Sequence, residues 1–173
     1  MLTLSLLRHA KSSWKNTSLP DHDRPLNARG TVEAPLMGKA MAEHGLDPDL
    51  VLCSTARRTR DTLELVLPQL KTEPKVSYED ALYHGTPTAM LALLQGVGVG
   101  ADQVLLVGHN PEIQTFALDL IGAGPRQLKD WLEAKLPTAG LVVMRFPAGA
   151  WSDVVVHSGK LELFLTPRDA ERS

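Results

Sequence analysis

The sequence has little cysteine, few aromatic residues and no surplus of basic residues, and each shortage excludes a class of protein. A single cysteine, Cys53, permits neither an internal disulfide framework nor a zinc site built from cysteines. Aromatic residues make up 5% of the chain, and the formal net charge is −2. A general nucleic-acid binder normally carries a basic surplus, so nucleic acid is not an expected partner.

Long hydrophobic runs are also missing. No stretch approaches the roughly 18 apolar residues of a membrane span. The apolar run from Met1 to Leu7 is too short for the core of a signal peptide, and Arg8 and Lys11 follow it rather than precede it. We therefore interpret the run as a strand and expect a cytoplasmic protein with no membrane partner.

Length and composition are those of one globular domain. The chain has 173 residues, of which 43% are hydrophobic and 22% charged. A domain of that size hides roughly 70% of its unfolded surface. With no internal repeat and no long linker, residues 1–173 are predicted to form a single domain.

Apolar segments alternate between strand and helix periods along the chain. The predicted strands are 2–7, 49–53, 75–78, 104–107, 140–146 and a last one of 153–156 continued by 160–165. Between them, helices are predicted up to about residue 43, over 56–70, from 87 and from 111. Pro35 should make the first helix start late or kink, and Asn110 should cap the helix that begins at Pro111. This alternation predicts a three-layer α/β/α sandwich with a mostly parallel central sheet and antiparallel pairing at one side.

Two histidines follow predicted strands directly. His9 comes after the first strand, and His109 follows the 104–107 strand through one glycine. Either histidine alone is more typical of a structural hydrogen-bonding group. Because ligands bind at the carboxyl edge of open parallel sheets, the pair predicts a site in which the two rings face each other.

Arginines reach the same edge. Arg8 precedes the first of these histidines, and Arg57 and Arg58 follow the 49–53 strand where a helix begins. Guanidinium groups beside a helix N-terminus favour an anion, and their planar fork suits phosphate oxygens. The alternative is a solvated helix face whose arginines are balanced by Asp61 and Glu64.

Four motifs resemble those of one family. Residues 6–14, Leu-Leu-Arg-His-Ala-Lys-Ser-Ser-Trp, resemble the Arg-His-Gly motif of the histidine phosphatase superfamily, with Ala10 in place of glycine. Residues 54–62 fit its Ser-x-x-x-Arg-x-x-x-Thr element, which selects Arg58 and not Arg57. Residues 24–30 and 107–111 are similar to the small SixA-type phosphohistidine phosphatase branch, and the resemblance spans almost the whole chain.

The resemblance implies a phosphoglycerate mutase-like fold and a covalent mechanism. His9 is expected to attack phosphorus, and water then releases phosphate from the modified histidine. Arg8, Arg58 and His109 are expected to hold the phosphoryl oxygens. Neither a metal nor another cofactor is expected.

The expected proton donor is not evident. Lys15 replaces an asparagine of the mutases, and Asn110 stands where acid phosphatases of the superfamily carry an aspartate after the second histidine. Glu79, Asp80 and His84 lie in the segment where mutase-like relatives keep their donor, but they are predicted to be loop residues.

Without a donor, the substrate should have a leaving group that departs easily, as the imidazole of phosphohistidine does. The expected function is therefore removal of phosphate from phosphohistidine in a protein, such as a phosphotransfer domain or a phosphocarrier. The alternatives are a phosphatase of small phosphate esters and a catalytically weak phosphoprotein-binding module.

Overall fold

The computed structural model describes residues 1–172, which are built around one seven-stranded sheet. Its strands are β1 Leu2–Arg8, β2 Leu50–Ser54, β3 Lys75–Glu79, β4 Gln103–Gly108, β5 Ile121–Ala123, β6 Leu141–Phe146 and β7 Gly159–Leu165. They lie in the order β3-β2-β4-β1-β6-β7-β5. β1 pairs in parallel with β4 and antiparallel with β6, and β6 pairs antiparallel with β7. The predicted mostly parallel sheet with antiparallel pairing at one side is confirmed.

Helices cover both faces of the sheet. They are α1 Ala28–Glu43, α2 Arg57–Val66, α3 Ala81–His84, α4 Pro87–Gln95, α5 Glu112–Leu120, α6 Arg126–Ala134 and α7 Pro167–Glu171. The apolar sides of α1, α2 and α7 belong to one buried cluster, and those of α4, α5 and α6 belong to the other. Three layers therefore form, as predicted. Of the helices within residues 1–172, none combines the length and apolar composition that crossing a membrane requires.

Side chains of β1 are buried alternately on the two faces of the sheet, which explains the central position of this strand. Leu4 and Leu6 are fully buried in the α4–α6 cluster, whereas Leu7 is fully buried in the α1–α2 cluster. A strand that buries side chains on both faces needs helices on both sides, which is typical of the parallel part of an α/β sheet. Because β1 is the fourth of the seven strands in the sheet, its C-terminal end lies in the middle of the carboxyl edge of the sheet.

The structure excludes one predicted alternative and one predicted strand. α1 does not start late: it begins at Ala28 and contains Pro35, because the Asn27 side chain accepts a hydrogen bond from the backbone N–H of Gly30 and caps the helix before the proline. Residues 153–156 are not a strand. A 3₁₀ turn occupies Trp151–Asp153, and His157 has a φ of 60°, which interrupts an extended chain before β7.

Among the strands and α-helices, α3, β5, α6 and α7 were not predicted. β5 has three residues, and α6 buries Leu132 but leaves Trp131 exposed. The apolar face of α6 has few large apolar residues, Leu128, Trp131 and Leu132, and they are set among polar and charged ones, so the segment does not stand out in the sequence.

Candidate active site

The two histidines meet at the carboxyl edge of the sheet. Arg8 ends β1 opposite Gly108, which ends the neighbouring parallel strand β4. The backbone N–H of His9 donates to the Gly108 carbonyl at 3.1 Å. The ring centroids of His9 and His109 are 5.3 Å apart, so the register of the β1–β4 pair holds both imidazoles at one site.

One of the two neighbouring arginines joins this site. Arg58, in the first turn of α2, is buried, and its charge acts on both imidazole rings. The Arg57 side chain is half exposed and lies 3.6 Å from Asp61. The structure therefore brings together Arg8, His9, Arg58 and His109, which we call the basic cluster, and directs Arg57 elsewhere.

The arginines of the basic cluster share a hydrogen-bonding pattern. Arg8 Nη1 donates to the Leu136 carbonyl at 3.0 Å, and Arg58 Nη1 donates to the Asp21 carbonyl at 2.9 Å. The Nε atoms of Arg8 and Arg58 are buried and have no partner in the protein. Two charged donors are thus oriented by the protein but remain available to an anion.

His9 is held in a defined tautomer. Its Nδ1 lies 2.7 Å from the carbonyl oxygen of Ala10, which accepts hydrogen bonds only, so Nδ1 carries the ring proton. Burial, together with the charges of Arg58 and Arg8, lowers the pKa of His9 to about 4 against the opposing effect of the Ala10 hydrogen bond. At neutral pH, His9 therefore presents an unprotonated Nε2, the form a nucleophile requires.

Whereas His9 is oriented by a backbone carbonyl, the ring of His109 is oriented by a hydrogen bond to a side chain. Its Nε2 lies 2.7 Å from the hydroxyl oxygen of Ser54, and its buried Nδ1 has no partner in the protein. Ser54 Oγ also accepts from the backbone N–H of Ala56, and its own proton finds an acceptor when the hydroxyl donates to His109 Nε2, which leaves the ring proton on Nδ1. Burial, followed by the charges of His9 and Arg58, lowers the pKa of His109 to about 3.

The segment 79–84 borders the basic cluster, and its acidic groups accept hydrogen bonds from neighbours. Asp80 Oδ1 accepts from Thr55 at 2.7 Å, and Glu79 Oε1 accepts from Ser77 at 2.8 Å. Glu79 is the last residue of β3 and His84 ends α3. The prediction that Glu79 and His84 are loop residues is therefore wrong, because β3 runs one residue further than predicted and the unpredicted helix α3 ends at His84.

Sequence analysis missed a role for three residues near the cluster. The sequence assigned no role in the site to Ser54, Asp21 or Tyr83. The Tyr83 ring lies edge-on to the His109 ring with centroids 5.6 Å apart, and its hydroxyl donates to Asp21 at 2.7 Å. The only available signal was position: Ser54 ends a strand at the carboxyl edge, as the histidines do.

The predicted cap at Asn110 is wrong. α5 begins at Glu112 with Pro111 in the capping position, and the Asn110–Pro111 peptide is cis. Asn110 Nδ2 donates to the Leu136 carbonyl and to Gln114, each at 3.1 Å. The side chain is therefore bound to the same carbonyl as Arg8 and does not cap the helix.

Thiol chemistry does not fit this site. Cys53 is fully buried, and burial raises its pKa to about 12, so the thiol stays protonated at neutral pH. Within residues 1–172, no group of three or more histidine, cysteine, aspartate or glutamate side chains is placed to hold a metal ion.

Comparison with known proteins gives the family. Residues 4–83 match the histidine phosphatase superfamily (branch 1). An uncharacterized protein of Mycobacterium tuberculosis, Rv1276c, is 35% identical over 164 residues, which are 94% of this chain and all of that protein.

Solved structures agree over nearly the full chain. The "putative phosphohistidine phosphatase SixA" of Agrobacterium tumefaciens has a TM-score of 0.81 and 31% identity, covering 96% of this chain and 98% of that one. A second structure of the same description, from Nakamurella multipartitia, has a TM-score of 0.80 and 32% identity, covering 96% of each chain. The chain belongs to the histidine phosphatase superfamily and is of the SixA type within it. Its activity is accordingly that of a phosphatase.

Proposed function

We propose that this phosphatase removes phosphate from phosphohistidine in a protein through a covalent intermediate on His9. One observation carries the proposal. The unprotonated Nε2 of His9 is accompanied by buried nitrogens without a protein partner, namely Arg8 Nε, Arg58 Nε and His109 Nδ1. Two cationic donors and one neutral donor beside a nucleophile suit a phosphoryl group under attack.

In the first step, His9 Nε2 attacks phosphorus and the P–N bond of the substrate breaks. The electron pair of that bond moves to the ring nitrogen of the leaving imidazole. When the other ring nitrogen of the substrate carries a proton from solvent, the ring leaves as neutral imidazole. Arg8, Arg58 and His109 hold the phosphoryl oxygens during the transfer.

In the second step, water attacks phospho-His9 and the electron pair returns to Nε2. A proton of the attacking water passes to the released phosphate or to solvent. The hydrogen bond from Nδ1 to the Ala10 carbonyl is kept throughout, so His9 departs from phosphorus as a neutral ring. The same tautomer thus makes His9 both a nucleophile and a good leaving group.

The nearby carboxylates favour a substrate that needs no general acid. Burial would raise the pKa of Asp21, but hydrogen bonds from Tyr83 and the arginines, and the charge of Arg58, bring it to about 2. Asp21 is therefore ionised at neutral pH, and the carboxylate of Asp80 accepts a hydrogen bond from the Thr55 hydroxyl. An alkoxide leaving group needs a proton donor, whereas a neutral imidazole with a reference pKa of about 6.5 does not.

An exposed indole that is linked to the site through Arg24 and Asp21 supports a protein substrate. Trp14 is 69% exposed and stacks against the guanidinium of Arg24 at 3.5 Å. Arg24 in turn binds Asp21, which binds Arg58. A protein that presents its phosphohistidine to the basic cluster would contact this indole.

The proposal is tested with a substrate series for which kcat/KM is measured. A histidine-phosphorylated phosphotransfer domain or phosphocarrier should be hydrolysed readily, phosphoramidate less readily, aryl phosphates weakly, and alkyl phosphates such as phosphoserine hardly at all. Each pKa unit of an unassisted leaving group costs up to about 1.4 kcal/mol, so the range should span orders of magnitude.

Two results would contradict the proposal. Comparable rates on alkyl esters would favour the phosphatase of small esters, and binding without release of phosphate would favour the phosphoprotein-binding module.

Trp14→Ala should lower kcat/KM for the protein substrate alone. Trp131→Ala serves as the matched control, since this indole is 55% exposed but lies on α6.

A further inference from the structure

Asp21 contacts Arg58 with both its backbone and its side chain. It lies in the 3₁₀ turn Asp21–Asp23, within the long connection from β1 to α1. Arg58 Nη1 donates to its carbonyl at 2.9 Å, and Arg58 Nη2 donates to its carboxylate Oδ2 at 3.1 Å. Because a guanidinium is planar, two contacts from one residue define the plane of the whole group.

The carboxylate is itself held by two other side chains. The hydroxyl of Tyr83 donates to Oδ2 at 2.7 Å, and Arg24 Nε donates to Oδ1 at 3.1 Å. Arg24 is buried and also donates to the Ser12 hydroxyl at 2.8 Å. Asp21 is therefore anchored on two sides although half of its side chain is exposed.

This arrangement leaves one edge of Arg58 free. Both Nη atoms are bound to Asp21, whereas Nε is buried without a protein partner. Arg8 follows the same pattern with a neutral carbonyl, that of Leu136, as its anchor. In contrast to Arg8, Arg58 is also anchored by a charged group, the carboxylate of Asp21.

We propose that Asp21 is a positioning residue that orients Arg58 so that its Nε donor faces the phosphoryl group. The inference rests on the proposed role of Arg58 in holding phosphoryl oxygens. Asp21 touches neither the phosphoryl group nor the leaving group and acts through Arg58. A carboxylate that merely competed with phosphate for Arg58 would have the opposite effect on anion binding.

The test compares Asp21→Asn with Asp23→Asn. Asp23 is two residues away, its side chain is 56% exposed, and its carboxylate lies 3.7 Å from Nδ1 of His22. For Asp21→Asn, kcat/KM for phosphoramidate should fall about 10- to 100-fold, the range for weakening one charged donor to a transition state. Binding of inorganic phosphate, measured by calorimetry, should weaken in parallel, whereas Asp23→Asn should stay within about 2-fold of the wild type in both measurements.

A double-mutant cycle separates positioning from a general structural effect. If Asp21 acts through Arg58, adding Asp21→Asn to Arg58→Ala should change kcat/KM by less than about 2-fold. An equal loss in both backgrounds would overturn the proposal, as would tighter phosphate binding by Asp21→Asn. If Arg58→Ala itself had no effect, the proposed function would fail instead.

Tyr83→Phe provides a second variant if Asp21→Asn unfolds. It removes the hydroxyl that donates to Oδ2 and leaves the backbone of the 3₁₀ turn unchanged. A loss of about 3-fold is expected while Arg58 is present, with none in the Arg58→Ala background. Equal losses in the two backgrounds would again contradict positioning by this carboxylate.

Discussion

The basic cluster and the segment 79–84 lie side by side but differ in how their polar groups are satisfied. In the cluster, protein contacts bind one side of each group and leave Arg8 Nε, Arg58 Nε and His109 Nδ1 without a protein partner. In the segment 79–84, the carboxylates of Glu79 and Asp80 accept hydrogen bonds from neighbouring hydroxyls.

The contrast separates two jobs that a phosphatase must perform. Holding a phosphoryl group requires oriented donors that are desolvated before the substrate arrives, and the cluster supplies them. Assisting a leaving group requires a protonated acid near the departing atom, and the two carboxylates are engaged as acceptors. We infer that selectivity for the leaving group arises from the lack of a proton donor and not from a pocket that recognises the leaving group.

The largest expected effect is that of removing the nucleophile. His9→Ala should lower kcat by about 10⁴-fold or more, because no other group of the cluster can take up the phosphoryl group. Brief exposure of the wild type to labelled substrate, followed by a denaturing quench, should trap acid-labile, alkali-stable phosphate on His9. Label on Cys53 or Ser54 would contradict the mechanism, and circular dichroism checks that the variant is folded.

The next effect distinguishes neighbouring arginines. Arg58→Ala should lower kcat/KM by about 10²- to 10³-fold, the range for losing one oxyanion donor. Arg57→Ala, whose side chain is half exposed beside Asp61, should lose less than about 3-fold. An equal loss of kcat/KM in the two variants would show that Arg58 is wrongly assigned to the basic cluster.

Stability should depend on pH because the cluster keeps its histidines neutral. The pKa values of His9 and His109 are about 4 and 3, below the value of about 6.5 in the unfolded chain. As the pH falls from about 6.5 toward 4, the unfolded chain gains protons that the native protein excludes, so the free energy of unfolding decreases. Each histidine contributes a slope of at most about 1.4 kcal/mol per pH unit.

Denaturant unfolding between pH 7 and pH 4 measures this slope. The double variant His9→Asn/His109→Asn should show a shallower decrease than the wild type, and above about pH 6.5 the two curves should run parallel. Identical slopes at low pH would mean that both rings titrate normally in the native protein.

A smaller effect is expected for the residue that sets the tautomer of His109. Ser54→Ala should lower kcat/KM about 10-fold, since one buried hydrogen bond is lost while the ring stays in place. Nitrogen NMR of labelled histidine should show His109 protonated at Nδ1 in the wild type and a mixture of tautomers in the variant. An unchanged tautomer in Ser54→Ala would exclude this role.

The smallest effects belong to the segment 79–84. Asp80→Asn and Glu79→Gln should leave kcat/KM for phosphoramidate within about 2-fold of the wild type, because neither carboxylate has a part in the proposed reaction. A selective loss of ester hydrolysis in either variant would identify a hidden proton donor. That outcome would remove the contrast between the two regions.

Most of the fold was predictable because local signals agreed with its architecture. The apolar runs of β1 and β4 are buried on both faces, and Thr86 and Pro87 mark the start of α4 as their preferences indicate. Prediction failed where few apolar residues define an element, as in β5 and α6, and where a backbone conformation overrides composition, as at His157.

The sequence alone determined which residue types reach the site. His9 and His109 each follow a strand that must be buried, and parallel strands end at a common edge, so chain order is enough to bring both rings there. The motif spacing likewise separated Arg58 from Arg57 before any contact was known.

Only the tertiary structure decided how those residues are protonated and oriented. The Ala10 carbonyl is next to His9 in sequence, but its hydrogen bond to Nδ1 depends on the backbone conformation that follows β1. Ser54 meets His109 across 55 positions, and Asp21 meets Arg58 across 37. Such partners leave no local signal, because a serine at a strand end or an aspartate in a turn can form hydrogen bonds equally well with water or with its own backbone.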